Sequence, residues 1–376
     1  MTSLGQTVAA LTRRRRESAR SASARNQRMT AVEVSPNPGG LRMLVHVPEG
    51  IAPGAPLVVV LHGCTQTGEA YAEGAGWLSL ADRFGFVVLC PEQATGNNPN
   101  RCFNWFQAED TARGSGEVAS IAAMTRQVIA NHGIDPARVF VTGLSAGGAM
   151  TAALLASYPD LFAGGAIIAG LPFGAANTLS EAMGAMMQPR AQASAVWGDK
   201  VRRASPHQGP WPSVSIWHGD ADATVRPASA DALIQQWTDV HGLTGAPQKA
   251  RTPDGRVFDV WLSPAGQPLV ENHRIPGLSH GTPVKTGGPD GVGVAGPYLI
   301  DIGVSSSLEI ALGWGIARDG AGYATGPAPH SQTLETPTRT ASEALPAGTA
   351  VHPRPPREDG ITSVIENALR AAGLMR

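Results

Sequence analysis

Short apolar runs separated by longer amphipathic stretches recur along most of the chain. Residues 42–47 and 86–90 read as strands, and 57–61 (LVVVL) is apolar without alternation, the pattern of a strand covered on both faces. Residues 118–129 carry apolar positions at helical spacing, and a further strand follows from Arg138. Alternation of this kind predicts an α/β fold: a doubly wound, mostly parallel sheet flanked by helices. After Ile316 the pattern changes. Seven prolines fall between 326 and 356 among Thr, Ser and Ala, which predicts an extended linker. Beyond it Ile361, Val364, Ile365, Ala368, Leu369 and Ala372 form one apolar stripe on a short helix. Such a helix is marginal alone and must dock on its own body or on a partner. The expected organisation is therefore an arm over 1–30, an α/β domain over 31–317, a linker over 318–360 and an amphipathic helix over 361–376.

With 376 residues, 42% of them hydrophobic, the chain can bury one large core. Its net charge of −1 implies no attraction to nucleic acid. The charge is unevenly spread, however. Arg13 to Arg16, Arg20, Arg25 and Arg28 face only Glu17 in the first thirty residues, which predicts a solvated basic arm able to make weak surface contacts. Ser, Arg and Asn follow the arginines where a signal peptide has its apolar run, and no stretch reaches the roughly 18 apolar residues of a membrane span. Cytoplasmic residence is the expectation, with an extracellular location as the alternative.

Candidate chemistry centres on two G-x-S-x-G matches, 143–147 and 277–281. A nucleophile elbow needs a strand before the serine and a helix after it. Ser145 has both; Ser279 sits between Pro276 and Pro283, where no helix starts. A serine hydroxyl needs a base, and the base needs a carboxylate to hold its tautomer. In α/β-hydrolases the chain order is nucleophile, acid, histidine. Residues 213–225 (SVSIWHGDADATV) give a strand ending in Asp220 and Asp222, either of which can serve as the acid. His280 follows a strand-to-loop exit at 274–280; the other nine histidines precede the serine or the acid, lie in the Pro-rich tail, or lack that setting. Oxyanion donors are expected from the N–H of Ala146 and from Cys64 or Thr65, where Gly63 lets the chain turn in toward substrate after the first buried strand. Aromatic residues make up only 5% of the chain, so the cluster Phe103, Trp105 and Phe106, with Asn104 as a buried polar anchor, is expected to border the acyl cleft. Trp211, just ahead of the acid-bearing strand, lines the pocket or covers the sheet edge.

LHGCTQ (61–66), RCFNWF (101–106), GLSAGG (143–148), HGDADATV (218–225) and GLSHGTP (277–283) together resemble the polyhydroxybutyrate depolymerase-like esterases, relatives of feruloyl esterases. The resemblance spans residues 43–316. It implies an α/β-hydrolase fold and carboxylester hydrolysis, with Ser145, Asp222 and His280 on the triad positions; the acid four residues after the histidine of HGxxD is Asp222. It also implies that Cys64 and Cys102 lie close together, so that oxidation would tether the RCFNWF loop to the oxyanion loop. This chain departs from secreted members in carrying Gly281-Thr282-Pro283 after the histidine and Phe103 in the aromatic motif.

The expected chemistry is an acyl-enzyme mechanism on short hydroxyalkanoate esters or oligomers, requiring neither metal nor organic cofactor. Feruloyl or acetyl esters are the alternative substrates, and the basic arm could touch polyester granules. Acyl transfer to another alcohol and a catalytically silent binding module are the competing classes.

Overall fold

The computed structural model describes residues 28–252 and 254–318. The basic arm up to residue 27, the linker from 319 and the C-terminal helix lie outside the described residues. Arg28 and Met29, assigned to the arm by sequence, are part of the body. The Arg28 guanidinium pairs with Glu73 and Asp82, and Met29 is buried.

Ten strands form one sheet: β1 Thr30–Val32, β2 Arg42–His46, β3 Leu57–Leu61, β4 Val87–Glu92, β5 Val139–Leu144, β6 Gly164–Ile168, β7 Ser213–Gly219, β8 Gln248–Arg251, β9 Val257–Leu262 and β10 Pro268–Ile275. Their order across the sheet is β1-β2-β4-β3-β5-β6-β7-β10-β9-β8. The six central strands, β4 to β10 in that order, run parallel, and antiparallel strands close both edges. β11 Thr282–Val284 and β12 Leu299–Asp301 pair as a small separate sheet. This is the mostly parallel, helix-flanked α/β sheet that the strand and helix alternation predicted, and it agrees with the α/β-hydrolase fold that the resemblance implied.

All five residues of β3 are fully buried, as its unbroken apolar run required. Helices 116–132 and 228–240 pack with the small-residue helix 146–157 in the core on one side of the sheet; Trp77, Leu78, Leu80, Phe140 and Trp314 belong to the core on the other. The helix at 116–132 outlasts its sequence prediction at both ends and stops at Gly133, whose left-handed backbone returns its N–H to Ile129 O. Two helices, 179–187 and 194–203, occupy the long connection between β6 and β7, which sequence left without elements.

Because β5, β7 and β10 are parallel, their C-terminal ends lie on one edge of the sheet. Ser145, Asp222 and His280 follow those three ends.

Candidate active site

Ser145 stands between β5 and helix 146–157 with φ 57° and ψ −117°, a conformation that non-glycine residues rarely adopt. The strand directly before and the helix directly after force this turn, and Ser145 N–H is secured by Ile168 O at 2.9 Å. The flanking glycine is required by close packing. A Cβ at Gly147 would lie 2.4 Å from Leu61 O, so only glycine lets the helix start against the end of β3. Ala146 is the first residue of that helix, and the N–H groups of a first turn have no intrahelical acceptor.

The candidate acid arises from the turn after β7. Asp222 Oδ1 accepts the N–H groups of Thr224 and Val225, each at 2.9 Å, an Asx-type arrangement that folds HGDADATV back on itself. Its other oxygen, Oδ2, lies 2.7 Å from His280 Nδ1. Burial raises the Asp222 pKa, but the His280 hydrogen bond and nearby imidazoles outweigh it, so the carboxyl titrates below its ordinary value. Asp220, the other sequence candidate, is exposed and accepts the N–H of Gly277 at 2.6 Å. It braces the loop that carries His280 and makes no hydrogen bond to His280 itself.

That loop passes very close to β7. A Cβ at Gly219 would fall 2.0 Å from Leu278 O, and Ala221 N–H donates to the same oxygen at 3.2 Å. The glycine of HG thus opens the passage through which 276–280 reaches the carboxylate. His218, which precedes it, is buried, with Nε2 2.8 Å from Val225 O and 3.5 Å from Asp222 Oδ2. Both neighbours are acceptors, so Nε2 carries the proton. Burial pushes the His218 pKa down, which keeps this second imidazole neutral beside the acid.

With Nδ1 of His280 engaged by Asp222, Nε2 is the ring nitrogen that the carboxylate leaves free. Among the described residues no hydrogen bond joins Ser145 Oγ to His280. The second G-x-S-x-G serine, Ser279, is exposed on the loop just before the base.

The loop after β3 is heavily braced. His62 is fully buried, accepts Gln93 N–H at Nε2 (3.1 Å) and donates from Nδ1 to Gly63 O (2.8 Å). Gly63 N–H donates to Gln66 Oε1 at 2.9 Å, and Thr65, at φ 67°, donates its N–H to Asn100 O at 2.7 Å. Sequence left Cys64 and Thr65 as alternatives for the second oxyanion donor. The Thr65 N–H is spent on Asn100 O. Cys64 Sγ is bonded to Cys102, with Cα atoms 4.3 Å apart, which ties the β3 loop to the RCFNWF segment.

Within that segment the sequence expectation needs correction. Phe103 is fully buried, packed 5.0 Å from the His62 ring, and has no exposed face for a substrate. Asn104 is the anchor: its N–H donates to Glu117 Oε2 at 2.8 Å and its Oδ1 accepts from Asn98 at 3.1 Å. Trp105, 9% exposed, stands edge-on to Phe106. Trp211 is half-buried, edge-on to His207. Sequence reasoning missed Glu117, Gln66 and Tyr298, whose ring meets His280 edge-on at 6.1 Å. Gln66 lay inside a quoted motif, whereas nothing local marks the other two. No cluster of three or more metal-ligating side chains occurs among the described residues.

Residues 41–258, more than half of the chain, match the family model described as esterase PHB depolymerase. The chain is 47% identical over 282 residues to poly(3-hydroxyalkanoate) depolymerase C of Paucimonas lemoignei, covering 74% of this chain and 68% of that protein. It is 34% identical over 259 residues to an acetylxylan esterase of Coprinopsis cinerea, covering 66% and 67% respectively. Among solved structures, the acetyl xylan esterase from Aspergillus awamori superposes with a TM-score of 0.65 at 22% identity, covering 77% of this chain and 99% of that one; at that identity the likeness speaks for the fold. The chain belongs to the esterase PHB depolymerase family, carboxylic ester hydrolases built on the α/β-hydrolase fold.

Proposed function

We propose that this protein cleaves short-chain hydroxyalkanoate esters or oligomers through a Ser145-His280-Asp222 triad. The reading rests on one observation above all: His280 Nδ1 and Asp222 Oδ2 meet at 2.7 Å on the sheet edge where Ser145 occupies a sharp strand-to-helix turn.

His280 Nε2 takes the Ser145 proton as Oγ attacks the ester carbonyl. Asp222, ionised, holds the ring through Nδ1 and stabilises the imidazolium. The backbone N–H groups of Ala146 and Cys64 receive the developing oxyanion, each donor of this kind contributing about 10² to 10³ in rate. The alcohol departs with the proton from His280, and water repeats the steps on the acyl-enzyme. A hydrogen bond between Ser145 Oγ and His280 Nε2 is expected to form when substrate fills the site.

The depolymerase relative favours hydroxyalkanoate substrates; the acetylxylan esterases favour acetyl groups on sugars as the second reading. Ser145→Ala is expected to abolish hydrolysis of a short p-nitrophenyl ester while circular dichroism and melting stay unchanged, and retained activity rejects the triad. Initial rates on hydroxybutyrate oligomers, acetylated xylan and feruloyl sugars rank the substrates, and added alcohols expose any acyl transfer. The Cys64–Cys102 bridge favours an oxidising compartment, hence the extracellular alternative over the cytoplasm. No helix among the described residues is long and apolar enough to cross a membrane.

A further inference from the structure

The segment just before β12 holds a non-glycine residue in the left-handed region: Tyr298, φ 62°. Such a backbone is uncommon outside glycine and persists where the surroundings impose it. Two loops do so here. Tyr298 O accepts the N–H of Thr282, two residues past His280, at 2.8 Å, and a Cβ on the intervening Gly281 would come within 2.9 Å of that oxygen. On the other side Pro297 O accepts Gln66 Nε2 at 3.3 Å, and the same Gln66 side chain receives Gly63 N–H through Oε1. Residues 297–298 are thereby pinned both to the loop that bears the base and to the loop that bears the proposed oxyanion donor. The ring is half-buried, 6.1 Å from the His280 ring at an interplanar angle of 72°. Its phenol oxygen makes no hydrogen bond among the described residues, and burial pushes its pKa up, so it is a neutral hydroxyl with donor and acceptor capacity unspent.

We infer that Tyr298 is a specificity-determining residue that contacts the alcohol half of the ester, selecting alcohols that carry further oxygen atoms. This rests on the proposed triad. His280 returns its proton to the departing alkoxide, so a group seated against His280 meets the alcohol portion, while the carbonyl oxygen is drawn toward the backbone donors. An aromatic surface joined to an unpaired hydroxyl suits a carbon skeleton bearing hydroxyl or carbonyl groups. Sugar rings and hydroxyacyl units share that chemistry.

The test holds the acyl group constant as acetate and varies the alcohol: ethanol, a methyl xyloside, and methyl 3-hydroxybutyrate. Tyr298→Phe removes only the hydroxyl and is expected to lower kcat/KM about three- to tenfold on an oxygenated alcohol, with ethyl acetate unchanged within about twofold. Tyr298→Ala also removes the ring and should widen that gap. Loss confined to the xyloside identifies a saccharide alcohol, loss confined to the hydroxybutyrate an oligoester, and either supports the assignment. An equal change on all three acetates, or none on any, overturns it. If the alanine variant fails to fold, the phenylalanine variant alone decides. Ser145→Ala separates the two readings: if it stays active the triad is wrong, whereas a dead Ser145→Ala with no alcohol dependence at Tyr298 removes this inference only.

Discussion

The backbone N–H of Asn104 donates to the buried carboxyl of Glu117 at 2.8 Å, fixing the RCFNWF loop from beneath. Gln93 completes the arrangement, with its side-chain amide donating to Glu117 Oε1 at 2.5 Å and to Cys102 O at 3.0 Å. Burial, helped by the charge of Asp110, pushes the Glu117 pKa up to about 8. Its ordinary value is 4.5, so between the two the folded state binds more protons than the unfolded chain, and stability falls as pH rises. Glu309, raised to about 7 chiefly by burial, adds to the lower part of the same window. The buried His62, His218, His241 and His273, all held below their ordinary 6.5 by burial, act in the opposite sense at acid pH, so the melting temperature is expected to decline from about pH 7 to pH 9. Glu117→Gln should flatten the part of that decline above pH 7, which thermal scans across the range will read.

Asp222 and Asp220 make opposite predictions. Asp222→Asn should lower kcat about 10³- to 10⁴-fold with the fold intact, because an amide does not hold the imidazole in its working tautomer. Asp220→Asn keeps an acceptor for Gly277 N–H and should leave kcat within about threefold. Steady-state kinetics on the pair identifies the acid.

Cutting the Cys64–Cys102 bond frees the loop that carries the proposed Cys64 donor. Cys102→Ser is expected to cost about 4 kcal/mol in stability, the order for a loop of 38 residues. In the activity assay the loss should fall on kcat more than on KM, since an oxyanion donor acts in the transition state. Denaturant titration and kinetics measure both.

Gly219→Ala places a methyl group 2.0 Å from Leu278 O, and one of the two backbones must move. The loop that gives way is the one carrying His280, so activity should fall at least about 10²-fold, the scale of an ångström-level misplacement of a reacting group. Gly147→Ala collides with Leu61 O at the foot of the elbow and should reduce melting temperature as well as activity.

Some of this was legible from local pattern. The unbroken LVVVL run of β3 could only be a strand buried on both faces, and the strand before Ser145 followed by small residues could only be an elbow. Chain order then sorted one histidine from ten, because α/β-hydrolase topology brings the ends of β5, β7 and β10 to one edge. Periodicity and turn chemistry are written within a few neighbouring residues, so sequence alone determined the strands that lead to the elbow and to the candidate acid, while β1, β6, β8 and β9 went unread and the choice of Asp222 over Asp220 came from the family resemblance.

Tertiary structure decided what depends on partners distant along the chain. Asn100 takes the N–H of Thr65 and so separates it from Cys64; His62 covers Phe103 and removes it from the cleft; Glu117 fastens Asn104. Tyr298 reaches His280 only because the β11–β12 pair folds the chain back beside the base. Which donors are spent, which rings are covered and which side chains meet are set by packing between segments far apart in sequence, and no local pattern records those contacts.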